Sequence, residues 1–188
     1  MQFTPHYGVQ NHHARLSASK YSWLNYDLDQ LDRLLTTAQA AALGTKLHAL
    51  AQTMIELGVW ARNSPKTFNM YVNDCIGYRM QPEVVLFYSV DCFGTVDAIS
   101  FRKRVLRISD LKTGTGPTSF KQLLVYAALF CLEYGFDPFL DMDRIELRIY
   151  QNNEIRLEHA LPADIKYVME KIKTFSAYIE KKREEGDL

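Results

Sequence analysis

Three charged residues, Asp97, Asp110 and Lys112, fall inside two runs that otherwise read as β-strands, "TVDAISF" and "VLRISDLK". β-branched and aromatic residues dominate both runs, and the basic "RKR" at Arg102, Lys103 and Arg104 reads as the turn of a hairpin. In an antiparallel pair, residues directly opposite one another sum to a constant, so a two-residue turn at Lys103-Arg104 sets Asp97 opposite Asp110. A four-residue loop centred alike keeps that relation, and a turn displaced by one position breaks it. Alternation puts Lys112 on the side of Asp110 and points Leu111 the other way. The shared face also carries Ile99, Phe101, Leu106 and Ile108, which read as core. Two carboxylates about 5 Å apart on such a face repel, and burying either charge unpaired is costly. A divalent cation held by oxygen ligands neutralises both. The alternative is a structural Asp–Lys ion pair at a sheet edge.

The elements that must position these residues follow from periodicity and punctuation. Residues 1 to 15 are polar and turn-rich and read as a flexible arm, with a single domain over residues 16 to 188. Ser17 or Ser19 can cap a short helix carrying Tyr21, Trp23, Leu24 and Leu28. From Thr36 to Leu57 good helix formers dominate, with Leu43, Leu47, Leu50, Met54 and Leu57 recurring at threes and fours. A further helix is expected with Ser64 as N-cap and Pro65 at its first position, ending near Gly77. After Pro82 five strands are expected, the last two around an Asn152-Asn153 turn. A Gly/Pro loop after the third strand leads into a helix ending at Gly135, and a final amphipathic helix starts near Asp164. The order gives an α/β fold, a mixed sheet of about five strands beginning with a three-stranded antiparallel meander and flanked by helices.

"GTVDAI", "SDLKTG" and "KQLLVYAAL" together resemble the PD-(D/E)XK nuclease superfamily, in its RecB-like, phage-type exonuclease branch. The similarity covers about Leu16 to Glu133, with its short motifs in the family's order. The resemblance implies a restriction-endonuclease-like sheet and equates Asp97 with the aspartate of a G-x-x-D strand. Asp110 and Lys112 match the acid and lysine of the D-x-K strand, and Gln122 and Tyr126 match a Q-x-x-x-Y helix. Gly44 and His48 match a G-x-x-x-H helix, and Glu83 looks like the glutamate that opens the first strand. By the same resemblance His48, Asp97, Asp110 and the Leu111 carbonyl would hold Mg²⁺ or Mn²⁺, and Lys112 would orient or deprotonate a water. Arg102, Lys103, Arg104 and Lys121 would contact DNA phosphates.

The implied activity is a metal-dependent exonuclease that hydrolyses phosphodiester bonds in DNA end processing or recombination. A structure-specific endonuclease on branched or flap DNA, or a nicking endonuclease, is the alternative within catalysis, and an inactive DNA-binding or assembly module the alternative outside it. DNA is the implied partner, with a second copy of the chain or a recombination protein as further ones. Other readings of single residues stay open: His48 as a core histidine, Tyr126 as core, Glu83 as a solvated strand end. Ser119 and Gln122 also have capping-box spacing, which would occupy Gln122 at a helix start.

Composition bounds the remaining classes. The chain has 188 residues, 47% of them hydrophobic and 12% aromatic, enough to fill a core unaided. Twenty-two basic and twenty-two acidic residues cancel, so a polyanion-binding surface must come from local clusters such as Arg102 to Arg107. Cys75, Cys92 and Cys131 are an odd number without a CxxC pair, which suits free thiols in the cytoplasm. Iron–sulfur relatives of the family use one cysteine before the nuclease core and three after it; that pattern is missing, so no cluster is expected. No apolar run reaches the roughly 18 residues of a membrane span, and no membrane partner is expected.

Overall fold

A computed structural model describes residue 14 and residues 16–186. The arm expected over residues 1 to 15 therefore lies, residue 14 apart, outside the described residues. The chain divides into two compact units, Met1–Ala42 and Leu43–Leu188, with the boundary inside a long helix. The first unit holds a 3₁₀ stretch, Ala18–Asn25, with Ser17 at its N-cap position, where the Ser17 carbonyl accepts from Trp23 Nε1 at 2.9 Å.

Helix α1 spans Leu28–Leu57 and so starts well before the expected Thr36. Asp27 and Gln30 explain the earlier start. The Gln30 amide donates to Asp27 Oδ1 at 2.7 Å and the Asp27 amide to Gln30 Oε1 at 2.9 Å, a reciprocal capping box.

In the second unit α2 spans Thr67–Gly77, β1 Gln81–Ser89, β2 Cys92–Arg102 and β3 Val105–Leu111. Helix α3 is Lys121–Tyr134, β4 Arg144–Gln151, β5 Glu154–His159 and α4 Pro162–Glu184. Ser64 does not cap α2. Its Oγ accepts from Asn69 instead, and the Thr67 amide donates to Asn153 Oδ1 of the β4–β5 turn at 3.1 Å. In return the Asn153 amide donates to Thr67 Oγ1 at 2.7 Å, so the cap comes from 86 residues away. Gly77 closes α2 and Gly135, at φ 71°, closes α3, both as the sequence suggests.

The five strands lie in sequence order, antiparallel except for the parallel β3–β4 pair that α3 connects. The α/β class with a five-stranded mixed sheet and an initial antiparallel meander is thus the observed one. Its two faces bury different cores. Leu86, Ile99, Leu106, Ile108, Leu147 and Ile149 pack with α3 and α4, whereas Ala98, Leu111 and Tyr150 pack with Ala51, Ile55, Tyr71, Val72 and Cys75 of α1 and α2. Both outer strands carry features of edges: Pro82 stands in β1, and β5 is exposed along its length. Cys75 and Cys131 are buried free thiols, and burial pushes the Cys131 thiol up to about 12. No helix among the described residues is long and apolar enough to cross a membrane.

Ile108, on a central strand and fully buried, anchors the larger core. Ile108→Ala is expected to lower unfolding free energy by about 2–5 kcal/mol with an unchanged urea m-value. A loss below about 1 kcal/mol would contradict that packing role.

Candidate metal centre

The β2–β3 turn is Lys103-Arg104, with φ of 49° and 59°, the left-handed pair of a two-residue hairpin turn. Register then runs from Arg102 opposite Val105 to Ala98 opposite Ser109, and its next step sets Asp97 level with Asp110. On the other side of β2 the pairs Pro82–Ala98 and Val84–Val96 flank Glu83, which is therefore level with Asp97. Three acids lie in a row across three strands.

The row sits at an irregularity. Val96 belongs to the core under α3 and α4 while Ala98 belongs to the core under α1 and α2, so β2 changes face at Asp97. Opposite it, Glu83 has φ 50°, a conformation costing a non-glycine residue about 1 kcal/mol or more. Nitrogen Nδ1 of His48, on α1, lies 3.6 Å from Asp97 Oδ2 and 3.9 Å from Glu83 Oε1. Ligand atoms of His48, Glu83 and Asp97 all fall within 4.8 Å of one another.

Asp97 and Asp110 bear the electrostatic load. Asp97 Oδ2 accepts the Leu111 amide at 2.8 Å. Burial, with the Asp110 charge next, nevertheless pushes the Asp97 carboxyl up to about 6. Asp110 is almost fully buried, and burial likewise raises its carboxyl despite the Lys112 ammonium. Lys112 Nζ donates to Asp110 Oδ1 at 3.0 Å, while Asp110 Oδ2 is buried without a hydrogen-bond partner. The ion-pair alternative is therefore real for one oxygen of Asp110 and leaves the other unsatisfied. His48, Glu83 and Asp97 bring one imidazole and two carboxylates together, a donor set that fits Mg²⁺ or Mn²⁺. Asp110, level with Asp97 on β3, stands outside that close group and leaves one carboxylate oxygen unsatisfied.

Lys112 is held at both ends of a chain of bonds. Its Nζ also donates to Gln122 Oε1 at 3.1 Å, Gln122 Nε2 donates to Tyr126 Oη at 3.1 Å, and Tyr126 Oη donates to the Thr95 carbonyl at 2.6 Å. This settles the rival role of Gln122, since α3 starts after Phe120 with no side-chain cap bond. Leu111 packs in the α1–α2 core, and the Lys112 amide donates to the Tyr150 carbonyl of β4 at 2.9 Å.

Gly94 and Gly44 are the glycines of the G-x-x-D and G-x-x-x-H patterns, whereas Gln151 carried no recognisable sequence signal. Gly94 leaves room for the Tyr126 ring, which a Cβ would approach to 3.0 Å. Buried Gln151 donates to the carbonyls of Gly114 and Gly116 and accepts from Thr118 Oγ1, fixing the loop after Lys112. A cavity of about 230 Å³ lined by Leu47, Phe68, Leu111, Lys112 and Thr113 opens beside the lysine. Gly44, one turn before His48, has Thr113 so close that a Cβ would lie 2.7 Å from Thr113 Oγ1.

The basic residues of the hairpin are elsewhere. Arg102 and Lys103 are exposed at the tip, five positions along β2 from Asp97, or about 17 Å. Arg104 turns aside, bonding Asp143 Oδ1 at 2.8 Å and the Leu140 carbonyl. Lys121 is exposed at the first position of α3, next to Gln122.

Gly44→Ala is expected to lower the melting temperature although alanine favours helix by about 1 kcal/mol, and Thr113→Ala in the same chain should restore it. Full stability of the single variant would show that the contact is not tight. Asp97 makes metal-free stability pH-dependent. Its carboxyl binds protons more tightly folded, at about 6, than at the ordinary 3.8, so its contribution is complete below 3.8 and lost as pH rises through about 6. In chelator near pH 8, Asp97→Asn should therefore be more stable than wild type by roughly 3 kcal/mol, a gap that closes toward pH 4. Equal stabilities near pH 8 would count against the buried charge.

Searches among curated proteins and among solved structures found no match. A family model described as "Protein of unknown function (DUF2800)" matches residues 84–181, just over half of the chain. The matched span takes in Asp97, Asp110, Lys112, Gln122 and Tyr126, and stops short of His48 and Glu83. The chain belongs to that family, DUF2800.

Proposed function

We propose that this chain is a metal-dependent deoxyribonuclease with a restriction-endonuclease-like fold, hydrolysing phosphodiester bonds as an exonuclease of the RecB-like kind. The observation that carries the reading is the divided environment of Asp110: one oxygen holds Lys112, and the other is buried without a partner beside Asp97. A purely structural ion pair leaves that second oxygen unexplained.

His48, Glu83 and Asp97, whose ligand atoms lie within 4.8 Å of one another, would hold Mg²⁺ or Mn²⁺, with Asp110 and the Leu111 carbonyl as the further ligands the resemblance implies. The bound ion supplies Lewis acidity and lowers the pKa of water. The protein's own groups have separate tasks. Gln122 and Asp110 fix the Lys112 ammonium between them, so it can orient an attacking water and offset negative charge developing on phosphate. Tyr126, anchored on the Thr95 carbonyl, fixes the Gln122 amide so that its oxygen faces Lys112. In the net reaction water adds to phosphorus, one phosphorus–oxygen bond of the strand breaks, and the leaving oxygen takes up a proton.

The test uses linear, circular and branched DNA with Mg²⁺, Mn²⁺ or EDTA. Wild type should degrade linear DNA with metal and not with EDTA, and Asp110→Ala and Lys112→Ala should each lose at least about a hundredfold in rate. Mn²⁺ should also raise the melting temperature of wild type and not of Asp110→Asn, a readout independent of cleavage. Absence of cleavage under every metal, or variants as active as wild type, would overturn the reading. Nicking of circles would reassign the enzyme as an endonuclease.

A further inference from the structure

A second charged feature lies at the other end of the β2–β3 hairpin. An open groove of about 770 Å³ is lined by Tyr78, Arg79, Arg102, Lys103, Arg107 and Arg144. Arg79, Arg102 and Lys103 are exposed, and their side chains make no ion pair among the described residues. The wall behind them is built. Glu146, 3% exposed, accepts from three guanidiniums: Arg107 Nε at 2.8 Å, Arg144 Nε at 2.8 Å and an Arg148 terminal nitrogen at 3.2 Å. Burial opposes the charge on Glu146, yet Arg107 and its neighbours hold the carboxyl below its ordinary range. The guanidiniums of Arg107 and Arg148 also flank the Tyr78 ring, 4.8 Å and 4.5 Å from its centroid. Asp74 bonds Arg148 and Tyr150 from behind.

Three arginines on one carboxylate leave excess positive charge in a fixed arrangement, and three unpaired cations stand at the rim. Counting Asp74 and Glu146, six cations face two anions, in a chain whose net charge is zero. Such concentrated charge recruits a polyanion. We propose that this groove binds the phosphate backbone of a nucleic acid strand, with Arg79, Arg102 and Lys103 as free contacts and Arg107 and Arg144 as preset ones. Nucleic acid as the polyanion rests on the nuclease reading of the Asp97–Asp110 site. The groove is distinct from that site: about 17 Å of β2 separates them, so a strand occupying both needs about five nucleotides. Arg104, despite its place in the basic run, takes no part, because Asp143 and the Leu140 carbonyl hold it.

The experiment is fluorescence anisotropy with a labelled duplex and a single strand of about 20 nucleotides, in EDTA, from about 50 to about 200 mM salt. The variant combines Arg79→Asn, Arg102→Gln and Lys103→Asn, asparagine being tolerated where φ is 54° and 49°. Melting temperature checks its fold, and Lys171→Gln with Lys173→Gln on α4 is the charge control. The groove variant should bind at least about tenfold more weakly and lower the salt slope by about three, with the control near wild type. Unchanged affinity and slope in the groove variant, or no binding by wild type, overturns the proposal. Binding to vesicles of anionic lipid in preference to DNA overturns it as well. The two readings fail separately: wild type that cleaves DNA while the groove variant binds normally removes only the groove. Wild type that binds through the groove but never cleaves removes only the nuclease.

Discussion

The bond from the Leu111 amide to Asp97 Oδ2 holds the open end of the β2–β3 hairpin. Past Ala98 the two strands no longer pair main chain to main chain, and a carboxylate takes over the role of a backbone carbonyl. This substitution keeps an ionisable oxygen at the point where the sheet stops being regular. It also sets the position of Asp110 and Lys112, which flank Leu111. Everything else in the site is arranged around that junction: α1 brings an imidazole to it from one face, and α3 brings an amide and a phenol from the other.

The parallel pairing of β3 with β4 makes the arrangement durable. A parallel pair requires a crossover, and here the crossover is α3, whose first turns carry Gln122 and Tyr126 to the lysine. Strand β4 contributes twice, through the Tyr150 carbonyl that receives the Lys112 amide and through Gln151, which ties down the intervening loop. The lysine is thus fixed by backbone on one side and side chains on the other. Its mobile four-carbon stem is thereby confined to one arrangement, at a cost in rotamer entropy that the fold has already met.

Much of this was legible in the sequence. Strand runs, the Lys103-Arg104 turn, the Asn152-Asn153 turn and the terminating glycines all carry local signals, and the opposition of Asp97 and Asp110 follows from turn length alone. What escaped depended on distant partners. The early start of α1 hung on Asp27 and Gln30 reading each other, in a stretch whose apolar pattern is weak. The face switch at Asp97 needs Glu83 in a backbone conformation that no residue type there announces. The "RKR" run looked uniform, yet Asp143 removes Arg104 from it, while Arg79 and Arg144 join its neighbours from segments separated by more than twenty residues.

The cap of α2 carries a consequence for how the chain acquires its shape. At 11 residues this helix is too short to persist alone in water, and its own flanking residues do not satisfy its first amides. The missing partner, Asn153, comes into place only when β4 and β5 have closed their turn. Helix α2 therefore relies on tertiary contacts, one of which only the last hairpin supplies. The core that it shares with α1, including Cys75 and Tyr71, should stay open to solvent in any species that has formed the first hairpins but not the last.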